Sequence, residues 1–296
     1  MLFAILYFSI YKYITILTKF DKKIMKNSLQ IGKKIVLYSV IWCVFSKTQI
    51  FTLLEDEKME NLTPKYKRVL LKLSGEALAK GSDGILNFEY IEQIAEVLKK
   101  CIAQGVQIAI VVGAGNIWRG RQSDKLDRAR ADQMGMLATA INALALEETF
   151  KSVGLRSRAM MVMEINSFAE SYRIRDARRH LDEGEVVIIG GGTGMPFFST
   201  DTAAAIHAAE IGADVILMAK NVDGIYTADP NLDTTAKRYD EITYREILEK
   251  ELKALDIPAS AFCMENNIKC YAFALSDPNN IYRVIMGEKM GTELHR

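Results

Sequence analysis

The sequence predicts an α/β protein, a three-layer αβα sandwich with a mostly parallel central sheet. From residue 65 onward, short apolar runs rich in β-branched residues recur, as expected for strands that are buried on both faces. Longer segments with apolar residues at helical spacing separate these runs. The 296 residues are 49% hydrophobic and 25% charged, ordinary values for a globular protein. This composition excludes collagen-like chains, disordered chains and disulfide scaffolds.

The periodicity places each element along the chain. The predicted strands are Arg68–Leu73, Val106–Val112, Ser157–Met163, Val186–Ile189, Asp214–Met218 and Lys269–Phe273. The predicted helices are Asn87–Gln104, Ala131–Lys151, Glu170–Leu181, Asp201–Glu210 and Tyr244–Leu255. We expect Asn87 and Asp201 to cap their helices, and Gly105 to follow the end of the first helix. Because no repeat or linker interrupts residues 65–296, they are predicted to form a single domain.

Residues 1–54 differ in composition from the rest of the chain. They contain eight Lys and one acidic residue, Asp21, for a net charge of +7, whereas residues 55–296 carry −6. The apolar runs Leu2–Leu17 and Ile35–Phe45 are shorter than the roughly 20 residues of a membrane-spanning helix. A pair of membrane anchors is therefore the less favoured alternative. We expect residues 1–58 to lie outside the functional protein, as a misplaced start before Met59 or a dispensable extension.

Cysteine and histidine residues do not form a recognisable metal or disulfide pattern. Cys43, Cys101, Cys263 and Cys270 include no C-x-x-C pair, and the three histidines are scattered. We therefore predict no disulfide, no structural zinc and no protein-held metal, in a reducing cytoplasm. The net charge of +1 gives no reason to expect a nucleic-acid partner.

Four predicted strands end in polar or glycine-rich segments. These segments are Lys72–Glu76, Gly113–Gly120, Gly190–Asp201 and Lys220–Pro230. In a parallel sheet such segments meet at one edge, where ligands bind. Glycines let backbone N–H groups face anionic oxygens, and Lys72 and Arg119 add positive charge. The pattern predicts a site for several phosphates, although the signatures of P-loop, dinucleotide-binding and protein-kinase folds are absent.

Longer motifs carry a specific resemblance. They are Leu70–Leu78 (LLKLSGEAL), Gly115–Gly120 (GNIWRG), Asp132–Thr139 (DQMGMLAT), Thr193–Asp201 (TGMPFFSTD), Val222–Pro230 (VDGIYTADP), Leu248–Lys253 (LEKELK) and Ile285–Thr292 (IMGEKMGT). Through these motifs, residues 65–296 resemble the bacterial uridylate (UMP) kinases of the amino acid kinase superfamily. The resemblance implies phosphoryl transfer from MgATP to UMP, giving UDP and ADP, in de novo pyrimidine nucleotide biosynthesis. It further implies a cytoplasmic homohexamer with GTP and UTP as nucleotide effectors and no membrane partner, with Mg²⁺ held largely by the phosphates.

The resemblance also implies roles for individual residues. Lys72 and Asp201 are the expected catalytic residues, with Asp201 pairing with Lys72 or another cation. The expected ATP-binding residues are Lys72, Leu73, Ser74, Gly75, Gly115, Arg119, Asn221, Tyr226 and Asp229. The expected UMP-binding residues are Ala114, Asp132, Thr193, Gly194, Met195, Pro196, Phe197, Phe198, Ser199 and Thr200.

Four further points concern these assignments. Asp132 is expected to accept hydrogen bonds from the ribose hydroxyls, and at least one of Phe197 and Phe198 to be a core residue. Ala114 stands where the family usually has glycine. Whether Lys220 or Asn221 makes the first ATP contact stays open.

Two other functions remain as alternatives. One is an amino acid kinase that phosphorylates a carboxylate or carbamate, and the other is a catalytically silent nucleotide-binding regulator. The DQMGMLAT and TGMPFFSTD stretches disfavour the first. The presence of Lys72, Arg119, Asp132 and Asp201 together disfavours the second.

Overall fold

A mostly parallel sheet organises the part of the chain that the computed structural model describes, which is residues 63–118, 125–165, 167–230, 232–252 and 254–296. Its nine strands are β1 (Arg68–Leu73), β2 (Gln107–Val112), β3 (Ser157–Met161), β4 (Glu170–Ser171), β5 (Val186–Gly190), β6 (Val215–Lys220), β7 (Glu241–Thr243), β8 (Lys269–Ala274) and β9 (Thr292–His295). They lie in the order β4-β3-β5-β2-β1-β6-β8-β9-β7. Among these neighbours β8 and β9 are antiparallel, and the other pairs are parallel.

Helices connect the strands and cover the sheet. They are α1 (Gly75–Leu78), α2 (Phe88–Ala103), α3 (Arg128–Ser152), α4 (Ile174–Asp182), α5 (Thr200–Ile211), α6 (Tyr244–Glu249), α7 (Ile257–Glu265) and α8 (Asn279–Ile285). On one side α2 packs against α3 and α8, and on the other α5 packs against α4 and α7. The prediction of an α/β fold with a mostly parallel sheet is confirmed.

The core beneath α5 shows why the strand sequences are runs of apolar residues. Leu70 of β1, Val111 of β2 and Ile216 of β6 pack there against Ala203 and Ala208 of α5. All five side chains are almost completely removed from water. Small alanine side chains let α5 approach the sheet closely, and the burial of the larger strand residues supplies the stabilising hydrophobic free energy.

The six predicted strands are confirmed to within two residues at each end, but three strands were missed. β4, β7 and β9 are two to four residues long. The prediction that Glu170 begins a helix is wrong, because Glu170 and Ser171 pair with Met160 and Met161 of β3. The helix begins at Ile174 instead.

Two other predicted helices differ from the observed helices in where they begin or end. The helix predicted for Tyr244–Leu255 ends at Glu249, and Glu251 adopts a positive φ of 50°. The separate helices α7 and α8 were not predicted. Asp256 caps α7, and Pro258 lies in its first turn, where a missing N–H costs nothing. Helix α3 begins three residues earlier than predicted, with Asp127 as its cap.

The predicted helix caps had mixed outcomes. Asn87 accepts a hydrogen bond from the Tyr90 N–H, as predicted, and Gly105 follows the same helix with a φ of 81°. The prediction that Asp201 caps α5 is wrong. Ser199 is the cap and accepts hydrogen bonds from the Asp201 and Thr202 N–H groups. This arrangement leaves the Asp201 carboxylate available for another partner.

The remaining expectations concern cysteines and membranes. Cys101, Cys263 and Cys270 are buried free thiols, with 4.0 Å between the Sγ atoms of Cys263 and Cys270. Within the described ranges, no helix combines the length and apolar character needed to cross a membrane. The expectations for residues 1–58, which include Cys43, lie outside the described residues.

Candidate active site

The carboxyl ends of four adjacent parallel strands bring the predicted loops together. β5, β2, β1 and β6 are neighbours in that order. The segments that begin at Ser74, Gly113, Gly191 and Asn221 therefore leave the sheet at the same edge. The structure thus confirms that the four loops share one edge, as the sequence pattern predicted.

Gly75 allows the loops after β1 and β2 to touch. A Cβ atom at this position would lie 2.2 Å from Asn116 Oδ1, 2.7 Å from the Gly115 nitrogen and 2.9 Å from the Gly113 oxygen. Two of these atoms belong to the backbone and cannot swing aside. The Gly113 N–H also donates to the Leu73 carbonyl at 2.8 Å. The two loops therefore form one continuous backbone surface.

Lys72 and Asp201 form an ion pair at this edge. The Lys72 Nζ lies 2.9 Å from Asp201 Oδ1, and the two side chains are 17% and 22% exposed. Both groups lie close enough to Lys220 to affect its pKa. Burial lowers the pKa of Lys220, the Asp201 carboxylate opposes this shift, and the Lys72 ammonium group adds to it. Two amines around one carboxylate leave net positive charge, which suits a phosphate group.

A cleft of about 300 Å³ opens beside this pair. The predicted residues that line it are Ala114, Asp132, Thr193, Met195, Phe198, Ser199, Thr200 and Asp201. The structure therefore brings most of the expected UMP-binding residues together around Asp201. Leu73 is a buried core residue, whose side chain is not free to reach a ligand. Ser74 is partly buried and caps α1 by accepting from the Ala77 N–H, which leaves its hydroxyl proton able to donate.

Asp132 holds the loop on the far side of this cleft. Its carboxylate accepts a hydrogen bond from the Phe197 N–H at 2.8 Å and pairs with Arg128 at 2.9 Å. Phe197 has a φ of 73°, so this contact helps to hold a strained backbone conformation. Phe197 is 62% exposed and Phe198 44%. The expectation that one of them is a core residue is wrong, because the loop carries both rings away from the sheet.

A second cleft, of about 520 Å³, lies beyond β6. It is lined by Lys220, Tyr226 and Asp229, whereas Asn221 is not among its lining residues. The Tyr226 hydroxyl donates to Asp223 at 2.6 Å, and Arg238 donates to the other oxygen of the same carboxylate at 2.8 Å. Lys220 lines this cleft, and its Nζ donates to the Ala254 carbonyl at 2.6 Å, two residues from Asp256 of the first cleft, so the two clefts lie close together.

Three site residues were missed by the sequence analysis. Asn142 is fully buried and donates to the Gly113 carbonyl and to Asn116 Oδ1, both at 2.8 Å. Thr139 accepts a hydrogen bond from the Gly191 N–H at 2.8 Å. Asp256 lines the first cleft and accepts from the Thr202 hydroxyl. An asparagine within an otherwise apolar helical stretch was the available signal for Asn142.

The carboxylates of the first cleft already have partners. Asp201 is paired with Lys72, Asp132 with Arg128, and Asp256 with Thr202 and the N-terminus of α7. Because these carboxylates are already paired, they leave few oxygen atoms to bind a hard cation, which prefers several oxygen ligands. This arrangement fits a cation that is carried mainly by phosphate oxygens. Arg119, the other predicted phosphate ligand, lies outside the described residues.

Comparison with known proteins gives the class. The amino acid kinase family profile matches residues 67–273, which is most of the chain and includes the strands that form the site. The chain belongs to the amino acid kinase family.

Three solved structures that the chain resembles are described as UMP or uridylate kinases. The UMP kinase from Bacillus anthracis is 36% identical, with a TM-score of 0.75, and the match covers 78% of this chain and 96% of that one. The UMP kinase from Ureaplasma parvum is 35% identical, with a TM-score of 0.74 and coverage of 78% and 100%. The uridylate kinase from Archaeoglobus fulgidus is 27% identical, with a TM-score of 0.58 and coverage of 76% and 99%.

Proposed function

We propose that this protein is a UMP kinase that transfers the γ-phosphoryl group of ATP to UMP, giving UDP and ADP. The observation that carries the proposal is the Lys72–Asp201 ion pair, whose carboxylate lines the first cleft, together with the second cleft close by. One cleft is lined by the expected UMP residues and the other by Tyr226 and Asp229 of the expected ATP site. Such an arrangement suits transfer between two bound nucleotides.

The chemistry requires positioning and charge neutralisation. An oxygen of the UMP phosphate attacks the γ-phosphorus, and the bond to the bridging oxygen breaks as ADP leaves with the electron pair. Negative charge spreads over the oxygens of the transferring group. Lys72 would stabilise that charge, and Asp201 would hold the ammonium group in place. A cation that is fixed in a site with little water stabilises this charge more than a cation in bulk water does.

Acceptor recognition is assigned to the first cleft. Asp132 is the group placed to accept hydrogen bonds from ribose hydroxyls, since Arg128 and the Phe197 N–H fix its carboxylate. The backbone between Thr193 and Thr200 would surround the uracil and phosphate. This segment includes Gly194, whose positive φ of 75° permits a tight turn, and Pro196.

Donor binding is assigned to the second cleft and to the loops after β1 and β2. Tyr226, Asp229 and the neighbouring Lys220 or Asn221 would hold the adenosine part. Gly75, Gly115 and Arg119 would contact the phosphates. Mg²⁺ would arrive with ATP and neutralise phosphate charge, because the carboxylates of the first cleft are already paired.

Assembly and regulation extend the proposal. Met134, Leu137 and Ile141 form an exposed apolar stripe on α3, next to the exposed Ile85 and Phe88. Exposed apolar groups of this kind often mark protein–protein contacts. We assign this face to subunit contacts in a cytoplasmic homohexamer that serves de novo pyrimidine nucleotide synthesis and responds to GTP and UTP.

An acceptor panel tests the proposed function. ADP release from MgATP would be followed with UMP, CMP, dUMP and small carboxylates as acceptors. We expect UMP to give the highest kcat/KM. Faster turnover of a carboxylate would identify a different amino acid kinase, and ATP binding without turnover of any acceptor would identify a regulator.

A further inference from the structure

His207 is a buried histidine that the proposed mechanism does not use. It lies on α5, one and a half turns after Asp201, and is 3% exposed. Its Nε2 is 2.9 Å from the backbone oxygen of Gly192, and its Nδ1 is 2.7 Å from Glu210 Oε2. Gly192 lines the expected UMP cleft. His207 thus connects the back of the cleft to a carboxylate on the opposite side of the ring.

The two partners of His207 determine its protonation. A backbone carbonyl accepts hydrogen bonds, and so does an ionised carboxylate. Both contacts are hydrogen bonds only when both ring nitrogens carry a proton. Burial tends to raise the pKa of Glu210, but the hydrogen bonds from His207 and Tyr172 outweigh this effect and the net shift is downward. Glu210 is therefore an anion beside the His207 ring.

Other groups contact this histidine–carboxylate pair. The Tyr172 hydroxyl donates to the same Glu210 oxygen at 2.8 Å, and its ring meets the His207 ring edge-on at 4.8 Å. From α4, Arg178 donates to the backbone carbonyl of Glu210 at 2.9 Å. Glu210, Tyr172 and Arg178 are thus titratable or charged groups that contact His207 or its carboxylate partner.

The turn that His207 holds has unusual backbone freedom. Gly191, Gly192 and Gly194 have φ values of 97°, 60° and 75°. Such residues explore many conformations unless contacts restrain them. Thr139 restrains the turn through the Gly191 N–H, and His207 restrains it through the Gly192 carbonyl. A charged donor makes a stronger hydrogen bond than a neutral one.

We propose that His207 is a positioning residue for the acceptor-binding turn, holding the Gly192 carbonyl as an imidazolium ion whose charge Glu210 balances. This inference rests on the proposed function, because it takes the cleft beside Gly192 as the UMP site. When the ring loses a proton, its single N–H cannot serve both Gly192 and Glu210. The remaining proton favours Nδ1, because the Glu210 carboxylate is the stronger acceptor, so the turn loses its hydrogen bond from His207 and acceptor affinity falls.

Steady-state kinetics with matched variants test the proposal. His207→Gln should raise the KM for UMP about tenfold, as expected for loss of a charged hydrogen bond. The values of kcat and of the KM for ATP should each change less than about threefold, which is the low end of what one hydrogen bond contributes. His180→Gln is the control, because His180 is equally buried and paired with Glu185 but does not line either cleft. A KM for UMP that rises no more in His207→Gln than in His180→Gln would overturn the proposal.

The pH dependence of the KM for UMP distinguishes the proposed role from a purely structural one, which would not change it. The Glu210→Gln amide can donate to an unprotonated Nδ1, so a neutral ring can still donate through Nε2 to Gly192. We expect the KM for UMP to rise with pH in the wild type more steeply than in Glu210→Gln. Titration of the UMP phosphate affects both proteins alike. Parallel profiles would contradict the proposal.

A measurement without substrate separates this inference from the proposed function. The nitrogen-15 shifts of His207 would be recorded in the full-length, ligand-free protein and assigned by their loss in His207→Gln. We expect both ring nitrogens to carry a proton under the conditions in which the KM for UMP is lowest, and a neutral ring there would overturn the proposal. Failure of the wild type to phosphorylate UMP would reject the proposed function alone.

Discussion

Lys72 is the residue whose removal should affect the chemical step most. Lys72→Ala would leave both clefts in place but remove the ammonium group that Asp201 orients. We expect kcat to fall at least about a hundredfold, as for loss of one electrostatic contact to a transition state. The KM for UMP should change much less, because the interaction belongs to the transition state.

Lys151→Ala is the matched control for Lys72. Lys151 also forms a lysine–carboxylate ion pair, at 2.7 Å from Glu147, but on the exposed part of α3. Its removal should leave the kinetics near those of the wild type, since exposed pairs contribute little. Steady-state rates with UMP and ATP make the comparison. A near-normal kcat in Lys72→Ala would show that Lys72 is peripheral.

Asp132 should set the preference for ribonucleotides. Asp132→Asn retains an oxygen that can accept from the Phe197 N–H but loses the charge that strengthens hydrogen bonds from ribose. We expect the ratio of kcat/KM for UMP to that for dUMP to fall about tenfold or more, as for loss of a charged hydrogen bond. Equal use of UMP and dUMP by the wild type would reject the assignment.

The sequence revealed site residues that occur in motifs and missed those whose partners are distant backbone atoms. Asp201 was predicted to pair with Lys72 or another cation, and the structure places it against Lys72. Asn142 and His207 bind the carbonyls of Gly113 and Gly192. No spacing rule links a helix side chain to a carbonyl 15 or 29 residues away, so only the folded chain reveals these contacts.

At the scale of loops, Gly75 should be irreplaceable. Gly75→Ala would force a Cβ against Asn116 and the backbone of Gly113 and Gly115. The loops after β1 and β2 would then move apart, and we expect a large loss of kcat/KM for ATP. Gly84→Ala is the control, because its nearest contact would be an ordinary 3.4 Å from the Ser82 hydroxyl. Equal activity of the two variants would show that the loops need not touch.

At the scale of helices and strands, burial determined which of them the sequence could predict. β1, β2, β5 and β6 are covered on both faces, so their sequences are almost continuously apolar. β4, β7 and β9 are too short to show a pattern, and pairing with a neighbouring strand defines them. The predicted helix extended back over Glu170 and Ser171, which instead pair with β3 as a short strand.

For the whole molecule, we propose that the functional protein begins near Met59 and consists of one kinase domain over residues 65–296. The family profile begins at residue 67, and 78% of this chain matches 96% of the Bacillus anthracis kinase. We expect a chain that begins at Met59 to assemble and to match the full chain in activity per mole. Mass spectrometry of the protein from its native cells should find no peptide from residues 1–54.

Two results would reverse this proposal for the leader. Detection of peptides from residues 1–54 in native cells would show that the leader is translated and retained. A chain beginning at Met59 that fails to fold would show that the leader is needed. Either result would favour the membrane-anchor alternative, and fractionation of native membranes would then test it.

Phosphorus-31 NMR of the reaction gives the most direct test of the proposed kinase activity. The full chain would be mixed with MgATP and UMP, with Lys72→Ala as the matched blank. We predict that the γ-phosphate signal of ATP is replaced by the β-phosphate signals of UDP and ADP, in equal amounts, with little change in the blank over the same time. Loss of ATP with inorganic phosphate as the product and no UDP would contradict UMP kinase activity.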